Sequence, residues 1–148
     1  MKNKMIGFIG CGNMGKAMLA SLISIGEIRK ENIIVSAKTE ASKEVIEKEF
    51  AVKATNDNKE VAAKANIIFL AVKPHFFKEV ISEIKDVVSK DSIIVSIAAG
   101  ITIEQIEEYF GFAVKVIRTM PNTPALVGEG MSAICKNKNI HKEELEEV

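Results

Sequence analysis

The feature that most constrains this chain is a short apolar run that leads into closely spaced glycines and then into an amphipathic segment. Residues 5–9 are apolar, residues 10–15 read Gly-Cys-Gly-Asn-Met-Gly, and Asn13–Ile25 has helical character up to Gly26. This order predicts a buried strand, a tight turn and a helix that ends at a left-handed glycine. The three pieces form the first half of a βαβ unit.

Similar alternation continues along the rest of the chain. Strands are predicted at residues 33–36, 51–54, 67–72, 93–97, 114–118 and 130–134, and helices at 41–50, 58–65, 76–88 and 102–110, with the first turns of another at 141–148. Thr102 and Gln105 form a capping box for the helix that ends at Phe110. Alternating strands and helices predict an α/β fold of the Rossmann type, doubly wound, with a mostly parallel sheet and helices on both faces.

Composition narrows the functional classes. The 148 residues have the size of one domain, and 20 basic side chains balance 20 acidic ones. No basic stripe runs along the chain, no apolar run is long enough to span a bilayer, and the N-terminus does not resemble a signal peptide. We therefore expect a cytoplasmic protein without nucleic-acid or membrane partners. Cys11 and Cys135 are far apart in sequence, which predicts reduced thiols and no metal site.

The glycine turn is predicted to hold the pyrophosphate of a nicotinamide dinucleotide. Gly10 permits the tight turn, Gly12 lets the backbone approach the pyrophosphate, and Gly15 allows close packing of helix on strand. Free N–H groups at the helix start would meet the anion. The alternative is that these glycines only shape a turn, but three flexible residues would be costly in a plain turn.

The end of the second strand bears on the choice of cofactor. An acidic residue about 20 residues beyond the glycines binds the ribose 2′-hydroxyl in NAD sites. This chain instead has Ser36 and Lys38 there, whose hydroxyl and ammonium groups suit a 2′-phosphate. The pattern favours NADP(H), with NAD(H) as the alternative, because Glu40 lies nearby and Lys38 could be an ordinary solvated lysine.

Three further loops follow predicted parallel strands and should face the same crevice. They contain Ala71, Val72, Lys73 and Pro74, then Ala98, Ala99 and Gly100, and finally Met120, Pro121 and Asn122. The small residues of the second loop would let a nicotinamide or ribose lie close to the backbone. Lys73 either reaches a ribose or phosphate group or is a surface lysine. His75 is interpreted as a surface residue.

Four segments together resemble the N-terminal domain of the pyrroline-5-carboxylate reductases. They are residues 6–15, 71–74, 96–100 and 118–124, the last reading Arg-Thr-Met-Pro-Asn-Thr-Pro. The resemblance covers nearly the whole chain. It implies NAD(P)H-dependent reduction of the C=N bond of L-1-pyrroline-5-carboxylate to L-proline, the last step of proline biosynthesis. It also implies an N-terminal cofactor domain over residues 1–148, followed in the family by a helical domain that forms the homo-oligomer.

The resemblance also implies a set of site residues. The cofactor would contact Gly10, Cys11, Gly12, Asn13, Met14, Gly15, Ser36, Lys38, Asn56, Ala71, Val72, Lys73, Pro74, Ala98, Ala99 and Gly100, and the imine substrate would face Met120, Pro121 and Asn122. Asn56 depends on the resemblance alone. No catalytic side chain and no metal ligand is assigned. Without the helical domain, we expect cofactor binding but little or no imine reduction.

Two other functions stay open at this point. One is another oxidoreductase of similar architecture, such as a hydroxyacid dehydrogenase or an F420-dependent NADP reductase. The other is a dinucleotide-sensing module without chemistry of its own. The Met-Pro-Asn-Thr-Pro segment argues against the first.

Overall fold

A computed structural model describes residues 3–26, 28–121 and 131–148. Its strands form one seven-stranded sheet in the order β3-β2-β1-β4-β5-β6-β7. The strand bounds are β1 Ile6–Ile9, β2 Ile33–Ser36, β3 Lys53–Thr55, β4 Ile67–Leu70, β5 Ile93–Ser96, β6 Lys115–Pro121 and β7 Ser132–Lys136. All neighbouring pairs are parallel except β6 with β7, which is antiparallel. The predicted Rossmann-type fold is confirmed.

Helices cover both faces of the sheet, as the prediction requires. They are α1 Asn13–Ile25, α2 Glu40–Phe50, α3 Asn58–Lys64, α4 Phe77–Ile84, α5 Ile103–Phe110 and α6 Lys142–Glu147, with short 3₁₀ turns at Lys30–Asn32 and Pro74–Phe76. One core lies under α1 and α2 and includes Leu19 and Ile46. The other lies under α3, α4 and α5 and includes Val61, Ile81 and Ile106. The inner strands β1, β4 and β5 are buried along their length because both faces are covered.

Several predicted boundaries shift by a few residues. β3 begins at Lys53 rather than at Ala51, because Ala51 has a φ of 54° and ends α2 with its N–H donated to the Glu47 carbonyl. The predicted helix 76–88 is shorter, since Phe76 closes a 3₁₀ turn and α4 ends at Ile84. The last two strands lie further along the chain than predicted, and they pair with each other up to Pro121 and Ser132.

Gly7 provides a test of this packing. It lies on β1, and a Cβ at this position would come within 2.5 Å of Val61 Cγ1 and 2.8 Å of Ala65 Cβ. Since α3 packs directly on the strand there, Gly7→Ala should lower the free energy of unfolding by about 1–3 kcal/mol, as overpacking of a core does. Chemical denaturation would measure this. An unchanged midpoint would show that α3 moves away freely.

Candidate cofactor-binding site

The strand order reverses beside β1, whose neighbours are β2 on one side and β4 on the other. In open α/β sheets, ligands bind outside the carboxyl ends of the strands at this reversal. The turn after β1 and the segment after β4 meet there, because the Ala71 N–H donates to the Ile9 carbonyl at 2.9 Å. The reversal therefore places the candidate site between these two segments.

The protein's own geometry favours glycine at the first and third positions of the turn. Gly10 has a φ of 77°, and a Cβ there would lie 2.6 Å from Val72 Cγ1. At Gly15 a Cβ would lie 3.1 Å from the Cβ of Ala71. The predicted roles of these two glycines in turn geometry and close packing agree with these distances.

Gly12 is different, because nothing in the described protein requires a glycine there. Its φ of −73° suits any residue, and a Cβ would meet no heavy atom within 4 Å. Gly12 is also the N-cap of α1 and supplies no side-chain cap, and the first turn of this helix has no acidic residue. The leading N–H groups of α1 thus lack intrahelical partners, and the space beside Gly12 is open. This arrangement fits a bound anion such as pyrophosphate.

Cys11, between these glycines, does not supply charge to the site. Burial raises the pKa of its thiol to about 11, while Lys16 opposes and Glu49 reinforces this shift. The thiol is therefore protonated at neutral pH, and no thiolate repels an anion at the helix start. This favours the interpretation of Cys11 as a small residue that fits a tight turn.

The structure brings Ser36 to the site, but its hydroxyl is already engaged within the protein. Ser36 is only 1 % exposed. Its Oγ accepts from the Gly10 N–H at 3.3 Å and donates to Asn58 Oδ1 at 2.6 Å. Asn58 Nδ2 in turn donates to Glu83 Oε2 at 2.9 Å. The Ser36 hydroxyl therefore stabilises the glycine turn. The sequence predicts it instead as a free ligand for the 2′-phosphate.

Lys38 and Asn56 lie on the outer side of the same region. Lys38 is exposed, and its Nζ is 5.0 Å from the centroid of the Phe76 ring. Asn56 Nδ2 donates to the Ala37 carbonyl at 2.8 Å, which joins the ends of β2 and β3. Of the two polar groups predicted for the 2′-phosphate, the Lys38 ammonium is thus the accessible one.

A cavity of about 280 Å³ connects these residues. Its lining includes five predicted residues, Gly10, Ser36, Lys38, Asn56 and Val72, and six that were not predicted, Ala37, Asn58, Phe76, Glu79, Val80 and Glu83. The sequence placed Asn58, Phe76 and the two glutamates only in helices. Phe76 had one signal, since two adjacent phenylalanines cannot both point into the core from a helix start.

The remaining predicted residues lie along the same edge of the sheet but outside this cavity. Lys73 and Pro74 are exposed, Ala98 is buried, and Ala99 is exposed beside Gly100, whose φ is 77°. Met120 is 40 % exposed. Pro121 lines a second, mostly apolar cavity of about 350 Å³ on the α1 side of the sheet. Asn122 lies outside the described residues.

Sequence reasoning also gave Arg118 no role. It lies on β6, two residues before Met120, and its Nε is buried without a hydrogen-bond partner in the part of the chain that the structure describes. The available signal was a charged residue that directly follows the apolar pair Val116 and Ile117. Its guanidinium retains capacity to donate to a carbonyl or an anion at this edge.

Two classes of feature are missing among the described residues. No group of histidine, cysteine, aspartate and glutamate side chains there could hold a metal ion. No helix in residues 3–26, 28–121 or 131–148 is both long and apolar enough to cross a membrane.

Comparison with known proteins supports the fold and the predicted family resemblance. The family described as NADP oxidoreductase, coenzyme F420-dependent, matches residues 5–100. Pyrroline-5-carboxylate reductase of Escherichia coli K12 is 44 % identical over 145 residues, which is 98 % of this chain and 54 % of that protein.

Two solved structures are similar over nearly the whole chain. The pyrroline-5-carboxylate reductase of Coxiella burnetii superposes with a TM-score of 0.93 at 33 % identity, covering 98 % of this chain and 54 % of that one. Plasmodium falciparum pyrroline carboxylate reductase with NADP bound gives a TM-score of 0.88 at 33 % identity, covering 99 % and 53 %. The chain spans about half the length of the relatives that it matches. It belongs to the NADP oxidoreductase, coenzyme F420-dependent, family, and its predicted resemblance to the pyrroline-5-carboxylate reductases is confirmed.

Proposed function

We propose that this chain forms the NADP(H)-binding domain of a pyrroline-5-carboxylate reductase, which reduces L-1-pyrroline-5-carboxylate to L-proline. The observation that carries the proposal is Gly12, which leaves the start of α1 open although the protein's own packing does not need a glycine there. The relatives named above support the substrate, and the NADP in the Plasmodium structure supports the cofactor.

The residues present would divide the binding of the cofactor between them. The N–H groups at the start of α1, from Asn13 onward, would bind the pyrophosphate. The Lys38 ammonium would pair with the 2′-phosphate, while Ser36 holds the glycine turn in place through the Gly10 N–H. NAD(H) lacks that phosphate and would lose the Lys38 interaction, so NADP(H) is the preferred cofactor.

NADPH supplies the hydride that reduces the imine carbon when it is bound. A protonated imine is already electrophilic, so this chain needs to contribute mainly position and electrostatics. Met120, Pro121 and Asn122 would border the reacting ring, and the small residues Ala98 to Gly100 would let the nicotinamide approach the backbone. The same proposal includes a helical domain that binds the substrate carboxylate and forms the homo-oligomer. It also includes a cytoplasmic location.

The printed description of the matching family raises a second candidate, an F420-dependent NADP reductase. The match ends at residue 100 and therefore covers the glycine turn, the end of β2 and the segment after β4. These parts bind a dinucleotide in either enzyme. The reductase relative matches 98 % of the chain, which includes the substrate-facing segment at Met120 and Pro121. This broader coverage favours the imine substrate.

A comparison of two substrates tests the assignment directly. The whole protein that contains this chain is mixed with NADPH and either L-1-pyrroline-5-carboxylate or a deazaflavin, and the loss of nicotinamide absorbance is followed. Imine reduction with formation of proline is the expected result. Reduction of the deazaflavin alone, or no oxidation of NADPH with either compound, would contradict the proposal.

Lys38 provides a narrower test of cofactor choice. Lys38→Met should weaken NADPH binding about tenfold, or ~1.4 kcal/mol, and leave NADH binding unchanged, because only NADPH carries the 2′-phosphate. Calorimetry at fixed moderate salt would measure both affinities. Lys48→Met, on the exposed surface of α2, is the control and should change neither. Equal losses for the two cofactors would remove Lys38 from this role.

A further inference from the structure

We infer that Phe76 is a specificity-determining residue whose ring holds the Lys38 ammonium in the free protein and stacks on the adenine when the cofactor binds. Lys38 then turns from the ring to the 2′-phosphate. The exchange couples recognition of the base to recognition of the phosphate. This inference rests on the proposed function, since it assigns a further part of the same dinucleotide site.

The position of Phe76 separates it from its neighbour Phe77. Phe77 is fully buried in the core under α4, whereas Phe76 is half-buried and lines the cavity with Lys38 and Val72. Phe76 closes the 3₁₀ turn that directly follows the segment after β4. The ring packs partly against the core under α4 and lies 4.2 Å from the His75 ring, and its remaining surface lines the mouth of the site.

The contents of the cavity fit an adenosine bearing a phosphate. Phe76, Val72 and Val80 offer apolar walls for a flat base, and adenine stacks on aromatic rings. Glu79 and Glu83 also line the cavity, and their carboxylates can accept from an exocyclic amino group but repel a phosphate. A 2′-phosphate is therefore expected on the side of Lys38, away from the two carboxylates.

A bound ligand could readily replace the contact between Lys38 and Phe76. The ammonium is 5.0 Å from the ring centroid on an exposed lysine, and such cation–π contacts are weak in water. A phosphate is a stronger partner for the ammonium, and a base covers more of the ring than an ammonium does. A ligand that offers both groups satisfies both residues, whereas 5′-AMP has the base but no 2′-phosphate.

A fluorescence experiment tests stacking at this ring. The chain has no tryptophan, so Phe76→Trp places a single indole at the site. Titration with 2′,5′-ADP should quench its emission, because a stacked adenine lies against the indole. Phe112→Trp is the matched control, since Phe112 is also half-buried and packs edge-on against Phe110, away from the cavity. Its emission should stay constant.

Affinities supply the second measurement. Phe76→Leu should weaken binding of both 5′-AMP and 2′,5′-ADP about fivefold to tenfold, within the range found for single base–aromatic stacks. Lys38→Met should weaken only 2′,5′-ADP. If Phe76→Trp binds 2′,5′-ADP without a change in emission, or if Phe76→Leu binds it as tightly as the wild type, the inference is wrong and the proposed function stands. If the wild type binds neither NADPH nor 2′,5′-ADP, the proposed function fails and this inference with it.

Discussion

Replacing Gly12 by serine should abolish NADPH binding and leave the fold as stable as before or slightly more stable. Serine is a favoured N-cap residue, the φ of −73° suits it, and its Cβ would meet no heavy atom within 4 Å. The new side chain would occupy the space that the pyrophosphate needs, and its hydroxyl would take an N–H of the first turn. We expect at least a hundredfold weaker binding by calorimetry, or ~2.7 kcal/mol.

Gly26→Ala is the control with the opposite pattern. Gly26 ends α1 with a φ of 73°, so a Cβ there strains the backbone although no atom lies within 4 Å. This variant should lose about 1 kcal/mol of stability and bind NADPH normally. Normal NADPH binding by Gly12→Ser would mean that the pyrophosphate does not lie on the start of α1.

Asn137→Leu should be the most destabilising of the substitutions considered, lowering the free energy of unfolding by about 3–5 kcal/mol. Asn137 is buried just after β7, and its side chain makes four hydrogen bonds. Its Nδ2 donates to the Val114 carbonyl at 2.7 Å and to Glu107 Oε1 at 2.8 Å, and its Oδ1 accepts from the N–H groups of Val116 and Asn139, both at 3.2 Å. Leucine has a similar volume, but it leaves the N–H groups of Val116 and Asn139 and the Glu107 carboxylate without this partner.

Asn139→Ala tests whether the loss arises from those particular bonds. Asn139 Nδ2 donates to the same Val114 carbonyl at 2.9 Å, so its removal leaves that oxygen with the bond from Asn137. We expect a loss of only about 1 kcal/mol in urea unfolding. Equal losses in the two variants would contradict the view that Asn137 joins α5, β6 and β7.

The sequence was most informative where one residue type has one physical role. Gly26, the capping box of Thr102 with Gln105, and the run of apolar residues in β4 each fixed an element because local geometry or burial leaves few alternatives. The glycine turn could be predicted for the same reason. Gly10 needs a positive φ, whereas no packing contact explains the glycine at position 12.

Contacts between distant segments could not be predicted in this way. Ser36 was assigned to the phosphate because a serine at the end of β2 offers a hydroxyl, and only the fold brings Asn58 to that hydroxyl. The position of Phe76 beside Lys38 likewise depends on how the segment after β4 leaves the sheet. The start of β3 was predicted too early in the chain, because no sequence pattern marks Ala51 as a left-handed residue.

The hydrogen bonds around Gly10 have a thermodynamic consequence. The Gly10 N–H is shared between the carbonyl and the side chain of Ser36, and Ser36 is itself held by Asn58. The protein thus holds the turn in place before any dinucleotide arrives. The conformational entropy lost on association is then mainly that of the dinucleotide, whose many rotatable bonds must be fixed. Ordering the protein reduces the binding free energy only slightly.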